Sequence, residues 1–177
     1  DFWRLIEQYS ITFFAAVPTI YATLLERPID DFDTSSLLNC GCGAAPMPVS
    51  LLENFAQRTG ADIMEGYGMT ETIDVATTHY FFGDRKIGSV GMRIPYQTIR
   101  IANIDDSGNI IKDCDTNEIG AILHSGISTF PGYKQQQANL AVWPENDLFN
   151  SGDMGRLDEE GYLWLVGRAK DLIIRGG

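Results

Sequence analysis

Basic residues are scarce in this 177-residue chain, where 13 Lys plus Arg stand against 24 Asp plus Glu for a formal net charge of −11. That balance disfavours nucleic acid or an anionic membrane surface as the main partner. Long apolar runs are also missing. None approaches the roughly 18 residues of a membrane-spanning helix, and Asp1 to Ser10 lacks the grammar of a signal peptide. Cysteine is sparse and odd in number. Cys40, Cys42 and Cys114 suit a reducing, cytoplasmic setting better than a disulfide framework. No Asn-x-Ser/Thr sequon and no low-complexity tract beyond Gln135 to Gln137 occur. The chain opens without methionine inside an amphipathic pattern and stops at Arg175-Gly176-Gly177 just after an apolar run, so it reads as a piece of a longer protein.

What is present is enough apolar material for a core, since 44% of the residues are hydrophobic and 21% charged. The first half alternates helix and strand signals. Phe2, Leu5, Ile6 and Tyr9 recur at helical spacing, residues 11 to 17 form a short apolar run, and Pro18 suits a first helical turn. Residues 37 to 42 predict a buried strand, and residues 48 to 58 a helix with Leu51, Leu52 and Phe55 on one face and Gly60 as its stop. Residues 61 to 65 predict a further strand. Short apolar strands separated by helices predict part of a parallel sheet flanked by helices, an α/β subdomain over 1–83.

From about residue 84 to 177 the texture changes to short strands between turns. Residues 97 to 103, 118 to 125 and 162 to 166 read as strands, and the runs Asp105-Asp106-Ser107-Gly108 and Asp158-Glu159-Glu160-Gly161 as turns. One helix is expected over 134 to 142. This half predicts a small β-rich, barrel-like subdomain.

Two polar clusters carry candidate chemistry. Glu65-Gly66-Tyr67-Gly68-Met69-Thr70-Glu71 follows a predicted strand, where open α/β sheets place their ligands. Gly66 and Gly68 would let a ligand approach the backbone, Tyr67 offers a flat face for a nucleobase, Thr70 a hydroxyl for a phosphate, and Glu71 a hard oxygen for Mg²⁺. The plainer alternative is an ordinary turn with a half-buried tyrosine. The second cluster runs through Ser151-Gly152-Asp153, Asp158, Gly161-Tyr162 and Gly167-Arg168-Ala169-Lys170-Asp171. Asp153 can accept from both hydroxyls of a ribose, and Arg168 supplies several donors in one plane. Here the plainer reading is a hairpin held by a surface ion pair.

Together these blocks resemble the adenylate-forming superfamily, most closely its AMP-dependent acyl-CoA synthetases. The resemblance runs in order through residues 17–21, 42–48, 66–71, 87–91, Pro131-Gly132-Tyr133, 151–153 and 161–177, nearly the whole chain, and it places the piece in the family's large N-terminal domain. It implies a ligase that joins ATP and a carboxylic acid into an acyl-adenylate and then passes the acyl group to coenzyme A. Its implied partners are the acid, ATP, coenzyme A and a further C-terminal domain of the same protein. Carried across residue by residue, Gly43, Ala44, Ala45 and Pro46 would border the adenine, with Gly66, Tyr67, Gly68 and Met69 beside them and Tyr67 stacking on the ring. Thr70 would touch the α-phosphate, Glu71 would hold Mg²⁺, Asp153 and Arg168 would bind the ribose side, and Lys170 would be the hinge of the C-terminal domain. An acyl pocket partly near Gly41 and Met69 weakly suggests an apolar acid, fatty or aryl.

Some positions depart from the pattern. The family often has glycine where Ala44 stands, and threonine where Ser151 and Asn139 stand. Its phosphate-gripping loop and its catalytic lysine would lie outside these residues, so the piece alone is expected to be inactive. Two other functions stay open: a non-catalytic nucleotide-binding or interaction module built on this fold, and an amino-acid-activating domain, which usually has proline where Met69 stands. A calcium loop starting at Asp113 fails at Glu118 and His124, which occupy its glycine and bidentate-glutamate positions. The cysteines with His79 and His124 match no familiar zinc spacing. Asp106-Ser107-Gly108 reads as a turn, without a nucleophile elbow.

Overall fold

A computed structural model describes residues 1–140, 142–145 and 147–171. The apolar run and glycines predicted at 172–177 lie outside the described residues. The chain divides into two compact units, one of residues 1–67 with 78–91 and the other of 68–77 with 92 onward. No helix among the described residues is long and apolar enough to cross a membrane.

The first unit opens with α1 (Phe2–Tyr9), β1 (Phe13–Ala16), α2 (Pro18–Leu25), β2 (Asn39–Cys42), α3 (Val49–Thr59) and β3 (Asp62–Tyr67). The strands β1, β2 and β3 pair in parallel, Phe13 opposite Asn39 and Asn39 opposite Asp62. Sequence signals explain the boundaries. Pro18 starts α2, where a missing N–H costs nothing, and Gly60 closes α3 in the left-handed region with its N–H donating to the Ala56 carbonyl. The inward face of α1 is Trp3 and Ile6, with Phe2 partly buried, while Leu5 and Tyr9 of the expected stripe stay exposed. Trp3 donates its indole N–H to the Leu24 carbonyl, and Tyr21 donates its hydroxyl to the Gly41 carbonyl. These bonds let both aromatics bury fully without stranding a polar atom.

Beyond β3 come a one-turn 3₁₀ helix (Thr70–Thr72), β4 (Thr77–Thr78) and β5 (Met92–Arg93). The second unit's main sheet comprises β6 (Gln97–Ile104), β7 (Ile110–Asp113), β8 (Gly120–Gly126), β9 (Phe149–Leu157) and β10 (Leu163–Arg168). It is antiparallel in the order β10-β9-β8-β6-β7. Among the described residues, the barrel-like subdomain expected from the sequence is therefore an open five-stranded sheet with β10 and β7 at its edges. Asp105 makes the β6–β7 turn by accepting from the Ser107 and Asn109 amides. Asp158 does the same for β9–β10, accepting from the Glu160 and Tyr162 amides and from the Trp164 indole. The helix expected over 134 to 142 is α4, only Gln136–Asn139, and residue 141 of that range lies outside the described residues.

Candidate functional site

In the first unit two loops leave the C-terminal ends of neighbouring parallel strands. Cys42 stands opposite Glu65 in register, so residues 43–46 emerge beside residues 66–67. A Cβ on Gly43 would sit 3.4 Å from the Gly66 carbonyl oxygen. The structure thus brings Gly43, Ala44, Ala45 and Pro46 together with Gly66 and Tyr67. Ala44, Ala45 and Pro46 are exposed, whereas Tyr67 is 8% exposed. Ala44 has φ +67, the left-handed region that costs an L-residue with a Cβ about 1–2 kcal/mol.

Glu65 locks this corner. It is 9% exposed, and its carboxylate accepts hydrogen bonds from the Gly88 and Met47 amides, with Arg85 nearby. Burial nonetheless outweighs these partners and pushes its pKa above the usual carboxylate range. Arg85 is itself tied to the Ile63 carbonyl and to Asp62, both at 2.7 Å.

In the second unit the chain continues through Gly68 and Met69 into the turn that carries Thr70 and Glu71. A Cβ on Gly68 would lie 1.9 Å from the Asp74 carbonyl oxygen, so the space it leaves is taken by the returning backbone. Thr72 is fully buried, and its hydroxyl donates to the Met69 carbonyl and accepts from the Met69 amide, closing the turn on itself. Ile73 and Asp74 follow at φ +52 and +79. A β-branched residue in that region is strained by about 1–3 kcal/mol, and such strain clusters at working sites. Thr70 is left exposed and Glu71 half-buried.

Glu71 is gripped from the loop before α4. The Phe130 amide donates to its carbonyl at 2.8 Å, and the Tyr133 hydroxyl donates to its carboxylate at 2.5 Å. Donating a hydrogen bond to a carboxylate favours the protonated phenol and raises the tyrosine's pKa to about 12, with burial adding to the effect. Asn139 accepts from the Tyr133 amide at 2.7 Å and donates to the Tyr133 carbonyl at 3.0 Å. An open cleft of about 1180 Å³ in the same unit is lined by Tyr96, Gly126, Phe130, Asn139, Leu140 and Trp143, among others.

Asp153 and Arg168 face each other across the β9–β10 hairpin, in register and with Nε to Oδ1 at 3.3 Å. The Arg168 side chain is 70% exposed and that of Asp153 only 13%. Ser151 anchors the strand here, donating to the Ile122 carbonyl and accepting from the Asp153 amide. Lys170 lies in the turn after β10.

Among the described residues no group of three or more His, Cys, Asp and Glu could hold a metal ion. Cys40 and Cys42 are buried on β2, where burial pushes their thiols up to about 12 and about 11. The acidic loop from Asp113 is used internally: Asp113 pairs with Arg100, and Glu118 with Lys112, Asn103 and the Asp115 amide. The Thr70–Glu71 turn fits magnesium differently. Mg²⁺ is commonly held by one or two carboxylates plus substrate phosphates, and hard oxygens are what this turn offers.

Residues 1–134 match the family of AMP-binding enzymes. The chain belongs to that family. A marinolic acid–CoA ligase of Pseudoalteromonas sp. (strain SANK 73390) is 58% identical over all 177 residues, which span 27% of that protein. A long-chain-fatty-acid–CoA ligase of Bacillus subtilis is 34% identical over 98% of this chain and 30% of its own length. Unliganded O-succinylbenzoate coenzyme A synthetase of Bacillus subtilis superposes with TM-score 0.84 at 32% identity, covering all of this chain and 37% of that one. The same enzyme in complex with ATP and magnesium gives 0.81. The chain thus spans under a third of the length of these two curated relatives. What its sequence did not disclose is which residues hold the two loops. Glu65 had no assigned role, and Tyr133 was one residue of a recognised block. Sixty-two positions separate Glu71 from its tyrosine, and no local pattern links them.

Proposed function

We propose that this chain is part of an AMP-dependent acyl-CoA synthetase, an acid-thiol ligase that activates a carboxylic acid of apolar, fatty or aryl character. A carboxylate is a poor electrophile because it is anionic and would have to expel oxide. In the first step its oxygen attacks the α-phosphorus of ATP, the bond to the β-phosphate oxygen breaks, and pyrophosphate leaves. In the second, the sulfur of coenzyme A attacks the acyl carbon, AMP departs with the bonding pair, and the thiol proton is lost to solvent. Each step needs donors placed where negative charge builds.

Within that reading Gly43 to Pro46 border the adenine and Tyr67 stacks on it, with Gly66, Gly68 and Met69 shaping the same stretch. Thr70 donates its hydroxyl to the α-phosphate and Glu71 holds Mg²⁺, which when bound neutralises phosphate charge. Asp153 accepts from the ribose hydroxyls, Arg168 orients that carboxylate and donates on the same side, and Lys170 is the hinge of the further C-terminal domain. The observation that carries the reading is the strained turn at the C-terminal end of a parallel strand, which leaves Thr70 exposed and Glu71 held by Tyr133.

The test is pyrophosphate exchange into ATP by the full-length polypeptide that carries this sequence, across a panel of carboxylic acids. Exchange with one class of acid, lost in Glu71→Gln and Asp153→Ala, is expected. No exchange with any acid, but retained nucleotide binding, would favour a non-catalytic module. The 177 residues alone should release no pyrophosphate, because nothing assigned here grips the β- and γ-phosphates.

A further inference from the structure

The Pro131-Gly132-Tyr133 segment is not explained by packing alone. Tyr133 does touch Phe130 edge to face, ring centres 4.8 Å apart, and any aromatic would do that. Its hydroxyl, however, ends on one oxygen of Glu71 at 2.5 Å, while the Phe130 amide three residues earlier takes the Glu71 carbonyl. The same short segment therefore holds both the main chain and the carboxylate of one residue. Asn139 in turn holds the tyrosine, closing a ring by accepting from its N–H and donating to its C=O. Gly132 permits that closure. It sits at φ +122, and a Cβ there would lie 3.0 Å from the Asn139 side-chain oxygen.

We infer that Tyr133 is a positioning residue for the Glu71 carboxylate, held in place by Asn139, so that the cation meets a carboxylate already oriented. The inference rests on the reading of Glu71 as the Mg²⁺ ligand. A carboxylate on a freely rotating side chain must be ordered when the cation arrives. One that already accepts a charge-assisted hydrogen bond has had that ordering done by the fold, and it keeps lone pairs for the metal. Partners behind a metal ligand matter to affinity by roughly 10–100-fold. Asparagine suits the second role because its carboxamide is both donor and acceptor; a threonine hydroxyl, the family's usual group at this position, can also do both.

The experiment is a Mn²⁺ titration of the full-length polypeptide with ATP present, free Mn²⁺ being read by its electron paramagnetic resonance signal. It needs no turnover. Tyr133→Phe keeps the ring and its packing and should weaken Mn²⁺ about tenfold. Glu71→Gln should weaken it at least as much, and the double variant should match Glu71→Gln alone. Wild-type affinity in Glu71→Gln would overturn the metal assignment and this inference with it. Weak binding in Glu71→Gln beside wild-type binding in Tyr133→Phe would overturn this inference only. A double variant a further tenfold weaker than Glu71→Gln would also overturn it, since Tyr133 would then act apart from Glu71. Should Tyr133→Phe fold poorly, the asparagine decides: Asn139→Ala must lose Mn²⁺ affinity and Asn139→Thr must restore it, and equal affinity in all three proteins would sink the idea.

Discussion

In the first unit the rings of Phe2, Trp3, Phe14, Tyr21 and Phe55 meet at 5.0 to 6.2 Å between centres under a parallel sheet. In the second, the candidate site residues are held by polar contacts at an open sheet's surface: Tyr133 on Glu71, Asn139 on Tyr133, Arg168 on Asp153. The loops of the first unit thus inherit their place from buried strand ends and from Glu65, and those of the second from small sets of hydrogen bonds and an ion pair. Damage to the first should unfold it. Damage to the second should change what the site does while leaving the fold.

The sharpest break of this contrast is Phe55→Ala, which empties a fully buried ring position and should cost about 3–5 kcal/mol, read as a lowered urea midpoint. A loss below about 1 kcal/mol would mean the aromatic cluster is not what holds the first unit.

Next in size is an exception inside the second unit. His124 is wholly buried on β8, and burial pulls its pKa from 6.5 down to about 4. The unfolded chain therefore takes up this proton first, so the contribution is complete above pH 6.5 and is lost as pH falls toward about 4. At full extent that is about 3 kcal/mol. Unfolding followed at pH 7 and pH 5 should show a smaller decline in His124→Gln than in the parent.

A smaller effect tests the first unit's exposed loop. Ala44→Gly removes a Cβ from a left-handed residue, and after the extra entropy of an unfolded glycine it should stabilise by about 0.5 kcal/mol. A lowered thermal midpoint would show that the Ala44 side chain makes a contact worth more than the strain. Least of all for stability is Arg168→Gln. Its side chain is 70% exposed, so losing the pair with Asp153 should cost between 0 and about 0.5 kcal/mol and vanish in high salt. Under the proposed function the same change should still weaken nucleotide binding, and calorimetric titration with AMP would measure it.

Legibility differed between the same two regions. Helices α2 and α3 were readable because Pro18 and Gly60 mark their ends by backbone chemistry, and strands β1 to β3 because each falls on a short apolar stretch between helix signals. The edges were harder. β7 went unmarked because three of its four residues are exposed, and β9 was read only as part of a hairpin, without bounds. The helix expected at 134 to 142 shrinks to four residues where Asn139 turns its side chain to Tyr133. Thr70, Glu71, Asp153 and Arg168 were all named from the sequence, with a hairpin held by a surface ion pair as the plainer alternative; the hairpin is there, and Asp153 pairs with Arg168 across it.

The sequence by itself determined the family, the strand and helix signals of the first unit and the residue types that can serve nucleotide chemistry, because these are written in local order and spacing. Only the tertiary structure decided that Gly68 yields its space to Asp74, that Glu65 ties two loops to β3, and that Tyr133 reaches Glu71. The physical reason is common to all three. A hydrogen bond or a close backbone approach depends on distance in space, and residues far apart along a chain carry no local mark of the partner folding will give them.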